Sequence, residues 1–228
     1  LKKAAPSGEV VRTLNKEFDI FDFARYPTSV LLAQYEQRET NIPYGILLFP
    51  RYDHGGHMYK DHDHIENLFE QLQGKFGVRI VETHGKFDMG RKLVMLDKKY
   101  GIEHKIEFVF IGAHGNTDVI GVGESNTQGA LTTSDIKKKS KTGAVQLRKV
   151  KDCFVPKPTV VIGACLTGVP QVIGQNLSEL LDGEVIAPDN GCNLASITVD
   201  VANNRPKFSA TYYGANAKRY ISGVDTEI

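Results

Sequence analysis

The sequence predicts an α/β protein built on a mostly parallel sheet with helices on both faces. Three observations predict it. Short apolar runs such as "YGILLFP" and "VVIGAC" carry no polar alternation, as in strands buried on both faces. Segments with apolar residues at helical spacing separate these runs. The two types alternate along most of the chain, the pattern of crossover units rather than of sandwiches or bundles.

The elements follow in order from residue 43. Residues 1–42 lack this rhythm; "YPTSVLLAQYEQRE" reads as a short helix with Pro27 and Thr28 at its start, in a lead-in or the tail of a further module. Strand "YGILLFP" (44–50) ends in proline. After a polar loop, "HIENLFEQLQGKFG" places Ile65, Leu68, Phe69 and Leu72 on one helical side. "VRIVETH" is the second strand, and "DMGRKLVMLDKKYG" the second helix with Met89, Leu93 and Leu96 inward. "IEFVFIGAHG" and "TVVIGACLTG" are the third and fourth strands. "VPQVIGQNLSELLDG" is a helix stopped by Gly183 at the C′ position. "EVIAPDNG" is the fifth strand, and "KFSATYYGANAKRYISG" closes as a strand or hairpin followed by a short helical piece. Between the third and fourth strands, "TDVIGVGE" starts a small hairpin, and residues 137–151, with seven basic residues and little to bury, form an exposed loop.

Composition narrows the function classes. A chain of 228 residues, 41% hydrophobic, buries a full core. A net charge of +1 gives no electrostatic reason to expect nucleic acid or an anionic membrane as partner. No apolar run approaches the roughly eighteen residues that cross a bilayer. Cys153, Cys165 and Cys192 are odd in number and form no C-x-x-C pair, against a disulfide framework or a cysteine zinc knot. A reducing, cytoplasmic setting fits; secretion stays open because the chain opens "LKKAAPSGEV" without methionine.

The chemistry concentrates at two strand ends. His114 ends the third strand and Cys165 the fourth, where parallel sheets place their ligand crevice. A cysteine attacks as thiolate and needs a base nearby, which an imidazole on an adjacent strand supplies. The amides of Gly115 and Cys165, in the turns beyond, are placed to stabilise an oxyanion. The competing reading is a satisfied core histidine and an inert structural cysteine.

"VFIGAHG" followed by "VVIGACLTG" resembles the caspase-like cysteine peptidases (clan CD), and among them the bacterial CHAT, separase and clostripain types. "YGILLFPRYDHGGHMYKDHDHIENLFEQLQGKFGVRIV" is similar to the first strand, loop, helix and second strand of caspases and metacaspases. Gly163 stands where caspases carry glutamine, which places the chain with the broader prokaryotic relatives. The resemblance, over roughly residues 43–200, implies a caspase-like three-layer sandwich across 43–228. It implies a cysteine endopeptidase with Cys165 as nucleophile and His114 as general base or acid. No metal is required, and calcium remains open as a cofactor. Partners would be a protein or peptide substrate and a flanking regulatory domain or activating partner, with neither nucleic acid nor membrane.

In separase-like and CHAT relatives an acidic residue after the next strand lines the pocket for a basic side chain. Asp189 matches it, implying cleavage after Arg or Lys through charge-assisted hydrogen bonds. Pro188-Asp189-Asn190-Gly191 is equally a turn signal, so Asp189 has a purely local reading as well. Asp61 and Asp63 are weaker pocket candidates, and Arg51 would suit an acidic side chain instead. A basic pocket preference makes Lys137, Lys138, Lys139, Lys141, Arg148 and Lys149 candidates for self-processing, as in relatives activated by cutting this loop; an uncut loop is the alternative.

"DHGGHMYKDHDH" places His54, His57, His62 and His64 among carboxylates, a composition that can bind zinc, yet without the helical H-E-x-x-H spacing. Asp61 or Asp63 there serves as a helix N-cap. "GVGESN" lacks the Lys-Ser/Thr of a phosphate loop, and no G-x-S-x-G elbow occurs. Two further classes stay open: a catalytically silent scaffold of the same fold, and a metal-dependent hydrolase centred on residues 54–64.

Overall fold

In the computed structural model the described residues are 42–51, 62–72, 74–101, 103–123, 129–137 and 150–226. Strands β1 (Tyr44–Pro50), β2 (Gly77–Thr83), β3 (Ile106–Gly112), β6 (Phe154–Gly163) and β7 (Glu184–Pro188) lie parallel to their neighbours. β10 (Ala217–Ile221) and β11 (Val224–Thr226) extend the sheet antiparallel. The seven-stranded order is β2-β1-β3-β6-β7-β10-β11. The α/β class and the mostly parallel sheet therefore stand.

The full burial of β1 explains its continuous apolar run, while β2, buried as completely, also carries Arg79, Glu82 and Thr83. Gly45 leaves room inside β1 for the ring of Phe108, from which a Cβ there would lie 2.2 Å. That ring packs on Phe76 and, at 4.9 Å between centroids, on Phe208. The one arginine of β2, Arg79, is buried with its guanidinium 4.8 Å from the Tyr100 ring centre, a cation–π contact that also covers its stem.

Helices α1 (His62–Leu72), α2 (Lys86–Tyr100) and α4 (Ile173–Leu181) are the crossovers. Right-handed connections put α2 and α4, which both lead back across the sheet, on one face and α1 on the other. A short helix α3 (Thr133–Lys137) packs on α4. On the α1 face lies a long hairpin, β8 (Asn193–Ala202) with β9 (Arg205–Tyr213), β8 against α1 and β9 against β3, β6 and β7. Three layers result, and one outer layer is part helix, part hairpin.

Several expectations change. Helices cover both faces as expected, but β8 was not expected, and the segment after β9 is the strand pair β10–β11 rather than a helix. α3 takes up residues at the start of the expected basic loop. The helix α4 is ended by Asp182, not Gly183, in the left-handed conformation at φ 51°. Gly183 serves another purpose: a Cβ there would lie 2.4 Å from the carbonyl oxygen of Pro158, so only glycine lets the two segments meet. The expected small hairpin does form, from β4 (Val119–Ile120) and β5 (Leu131–Thr132). No described helix is long and apolar enough to cross a membrane.

Candidate active site

Parallel strands put their carboxyl ends on one rim, and the chemistry-bearing residues follow those ends in strand order. His84 follows β2, Arg51 follows β1, His114 follows β3, Cys165 follows β6 and Asp189 follows β7. β3 and β6 are paired up to Gly112 opposite Gly163. His114 and Cys165 are each two residues beyond that last pair, on strands about 4.8 Å apart. Ala113 and Ala164 between them are buried, which closes the sheet beneath the two side chains.

The His114 end continues into the β4–β5 hairpin. Gly115 bridges Ile120, with the ladder bonds made by Asn116 N–H to Val119 O at 3.0 Å and Gly121 N–H to His114 O at 2.8 Å. The Gly115 N–H stays outside that ladder. Gly115 also sets the contact between the two ends: a Cβ on it would lie 2.9 Å from the Ala164 Cβ and 3.1 Å from Cγ2 of Thr167. The His114 side chain is exposed.

The Cys165 end is a tight turn. Leu166 is in the left-handed region at φ 62°, a conformation that costs a non-glycine residue about 1 kcal/mol or more. Leu166 N–H donates to Asn190 O at 3.0 Å and Gly168 N–H to Pro188 O at 2.7 Å, so the turn is fixed to the end of β7. Thr167, fully buried, donates from Oγ1 to Ala164 O at 2.7 Å. Two buried tyrosines hold the strand on either side of the cysteine: Tyr212 donates to Ile162 O at 2.9 Å and Tyr220 to Gly168 O at 2.8 Å. Burial raises both phenols, that of Tyr220 to about 12, so both remain donors. Among the described bonds the Cys165 N–H, like that of Gly115, is not taken up.

The Cys165 thiol is half-buried and touches a second cysteine. It donates to Cys192 O at 3.6 Å and accepts Cys192 N–H at 3.4 Å. Burial first, then the charge and hydrogen bond of Cys165, push the Cys192 thiol up to about 12. Burial likewise raises Cys153 to about 11, far from the rim at the start of β6.

Asp189 begins the bend after β7, beside the Cys165 turn. Its carboxylate accepts Asn216 N–H at 2.8 Å and Nδ2–H at 3.1 Å, and its own N–H donates to Asn216 O at 3.1 Å. These bonds reach a residue 27 positions away, just before β10, and they fix the carboxylate one strand from the cysteine. Arg51 lies on the other side of β3, with Nη1 2.7 Å from Nε2 of His84. It belongs to the β1–β2 part of the rim, away from Cys165.

Asp61, His54 and His57 lie outside the described residues, as do the side chains of Asp63 and His62 and the loop residues Lys138, Lys139, Lys141, Arg148 and Lys149. Lys137 ends α3, exposed, and lines a groove of about 490 Å³ with Asp118, Val119, Thr132, Thr133 and Ser134. His64 lines a second groove, of about 400 Å³, with Asn67, Gln71 and Ser196 between α1 and β8. Among the described residues no group of three or more His, Cys, Asp or Glu side chains is placed to hold a metal.

Sequence reasoning missed Cys192, Asn216, Tyr212 and Tyr220. The first two sit in bends and the tyrosines on strands, and only the pairing order brings them to Cys165. No family model matches this chain, and no curated protein matches it.

Proposed function

We propose that the chain is a cysteine endopeptidase of the caspase-like type that cleaves after Arg or Lys. The observation that carries this reading is the order along the rim: His114, Cys165 and Asp189 follow three consecutive parallel strands. His114 takes the thiol proton, and the Cys165 sulfur attacks the scissile carbonyl carbon. The negative oxygen of the tetrahedral intermediate is met by the N–H groups of Gly115 and Cys165. The carbon–nitrogen bond breaks, His114 returns the proton to the leaving amine, and a thioester remains on Cys165. Water, deprotonated by His114, then attacks the thioester and frees the acid and the thiol.

The exposure of His114 and the fixed turn of Cys165 suit this division of labour, because the base moves its proton between two partners while the nucleophile holds its place. Asp189 supplies the negative charge for a basic side chain; Asn216 occupies one lone pair on each oxygen and leaves the others for a guanidinium or ammonium. No metal enters these steps. A basic preference also makes residues 137–151 a substrate for the enzyme itself.

The test is turnover of fluorogenic peptides with Arg, Lys, Asp or Asn at the cleaved position, with intact mass measured alongside. Wild type should cleave the Arg and Lys peptides; Cys165→Ala and His114→Ala should each lose on the order of a thousand-fold or more in kcat/KM. Asp189→Ala should lose the basic preference while keeping Cys165 open to alkylation. Equal turnover in wild type and Cys165→Ala would overturn the reading, and no turnover in wild type would favour the silent scaffold.

A further inference from the structure

Cys192 has no part in the steps above, yet its backbone holds the sulfur of Cys165 between two hydrogen bonds of 3.4 and 3.6 Å, from its N–H and to its carbonyl oxygen. The Cys192 side chain leaves from the carbon between those two groups, so the second thiol starts within a side chain's reach of the first. A disulfide joins residues whose Cα atoms lie about 4.4–6.8 Å apart, and the Cys165 sulfur already touches the backbone from which the Cys192 side chain departs. The two segments are fixed to each other by Leu166 N–H to Asn190 O at 3.0 Å, two residues before Cys192. Gly191 has open space around it, so the bend has room to adjust. Both thiols are half-buried, within reach of a small oxidant.

We infer that Cys192 is a resolving thiol for Cys165, closing a reversible Cys165–Cys192 disulfide when a hydroperoxide oxidises the nucleophile. The Cys165 thiolate attacks the peroxide, a sulfur–oxygen bond forms, the oxygen–oxygen bond breaks, and hydroxide or alkoxide leaves and takes a proton from solvent. The sulfur gives up two electrons and the peroxide takes them. The Cys192 sulfur then attacks the Cys165 sulfur, the sulfur–sulfur bond forms, and the sulfenic oxygen leaves as water with the Cys192 proton. A dithiol reductant reverses the bond by exchange and becomes a disulfide itself. Oxidation also removes the negative charge of Cys165, one of the causes, after burial, that keep Cys192 protonated. Without a resolving thiol the sulfenic acid is exposed to further, irreversible oxidation. The proposed disulfide rests on the contact between the two residues and stands without the peptidase reading; its effect as an inhibitor of peptide turnover rests on the reading of Cys165 as the nucleophile.

The experiment treats the full chain with hydrogen peroxide, blocks free thiols by alkylation, and maps peptides by mass with and without dithiothreitol. Wild type, Cys153→Ser, Cys192→Ser and Cys192→Ala are compared. A reductant-sensitive peptide pair containing Cys165 and Cys192 is expected in wild type and in Cys153→Ser. In the Cys192 variants Cys165 should become sulfinic acid at a peroxide dose roughly ten-fold lower than in wild type. Peptide turnover should fall roughly ten-fold in treated wild type and return with dithiothreitol, but not return in the Cys192 variants. Absence of the Cys165–Cys192 pair, with Cys165 over-oxidised at the same dose in every protein, overturns the inference. A cross-link in a protein without peptide turnover would sink the peptidase reading and leave this one standing; turnover without a cross-link would do the reverse. Should the Cys192 variants not fold, the wild-type peptide map decides.

Discussion

The two strand ends that meet on the rim have the same sequence up to their last residue: Ile-Gly-Ala-His from 111 to 114 and Ile-Gly-Ala-Cys from 162 to 165. They end in different mechanical states. The histidine end opens into a small hairpin and leaves its ring exposed. The cysteine end is forced through a left-handed leucine, bonded at two amides to the last residue of β7 and to Asn190 just beyond it, and gripped by Thr167, Tyr212 and Tyr220. The difference teaches that position comes from the strand and rigidity from what the turn beyond it touches. Under the proposed peptidase reading this division has a use, since a nucleophile that must approach one carbon along one line gains from rigidity and a proton carrier does not.

The sharpest way to break this contrast is to add one methyl group to each end. In Gly168→Ala the new Cβ would meet the Ala187 carbonyl oxygen at 2.3 Å, backbone that does not yield. In Gly112→Ala it would meet the Phe49 ring at 2.6 Å, a side chain rather than backbone. Thermal or urea unfolding should show a loss of about 3 kcal/mol for Gly168→Ala and about 1 kcal/mol for Gly112→Ala. Equal losses would mean that the two ends are equally fixed. A smaller effect comes from removing the grips on the cysteine turn. Tyr220→Phe and Thr167→Val should each cost about 1–2 kcal/mol by denaturant melts, since each leaves a buried carbonyl without its donor. Cys165 alkylation should slow in both, because the thiol loses its fixed place. The smallest effect belongs to the histidine end: Asn116→Ala removes the Asn116 Oδ1 bond from Asp118 N–H at 2.9 Å on an exposed turn. It should cost about 0.5 kcal/mol, and a loss above that of Tyr220→Phe would reverse the comparison.

The strands of the central sheet were legible because burial on both faces favours apolar residues: β1 is apolar throughout, β3, β6 and β7 carry apolar stretches, and β2 keeps Val78, Ile80 and Val81 beside its buried Arg79, Glu82 and Thr83. The hairpin face was harder. "NLASITVDVA" is buried fully at Ile197 alone, so β8 shows a weak alternation that small residues blur. "AKRYISG" turned out as strand because Tyr220 is needed under the Gly168 carbonyl and Arg219 pairs with Glu184 at 2.8 Å, both tertiary demands. The left-handed position after α4 went to Asp182 since Gly183 was already committed to its contact with Pro158. At the site, His114, Cys165, Gly115 and Asp189 were readable as strand ends. Cys192 and Asn216 were not, because nothing local in "DNGCN" or "GANAK" states which strand end lies opposite.

The seam between β3 and β6 also governs how the molecule is made. Every residue of the β4–β5 hairpin, of α3 and of the basic stretch that follows it in sequence is synthesised between the two partners. Until Phe154 and its successors leave the ribosome, β3 presents "IEFVFIG" as an open edge, its Phe108, Phe110 and Ile111 without the strand that later covers that side. The nascent chain therefore carries a half-finished sheet for the whole of that interval, and an open strand edge of this kind is the part of a growing chain most open to pairing with another edge.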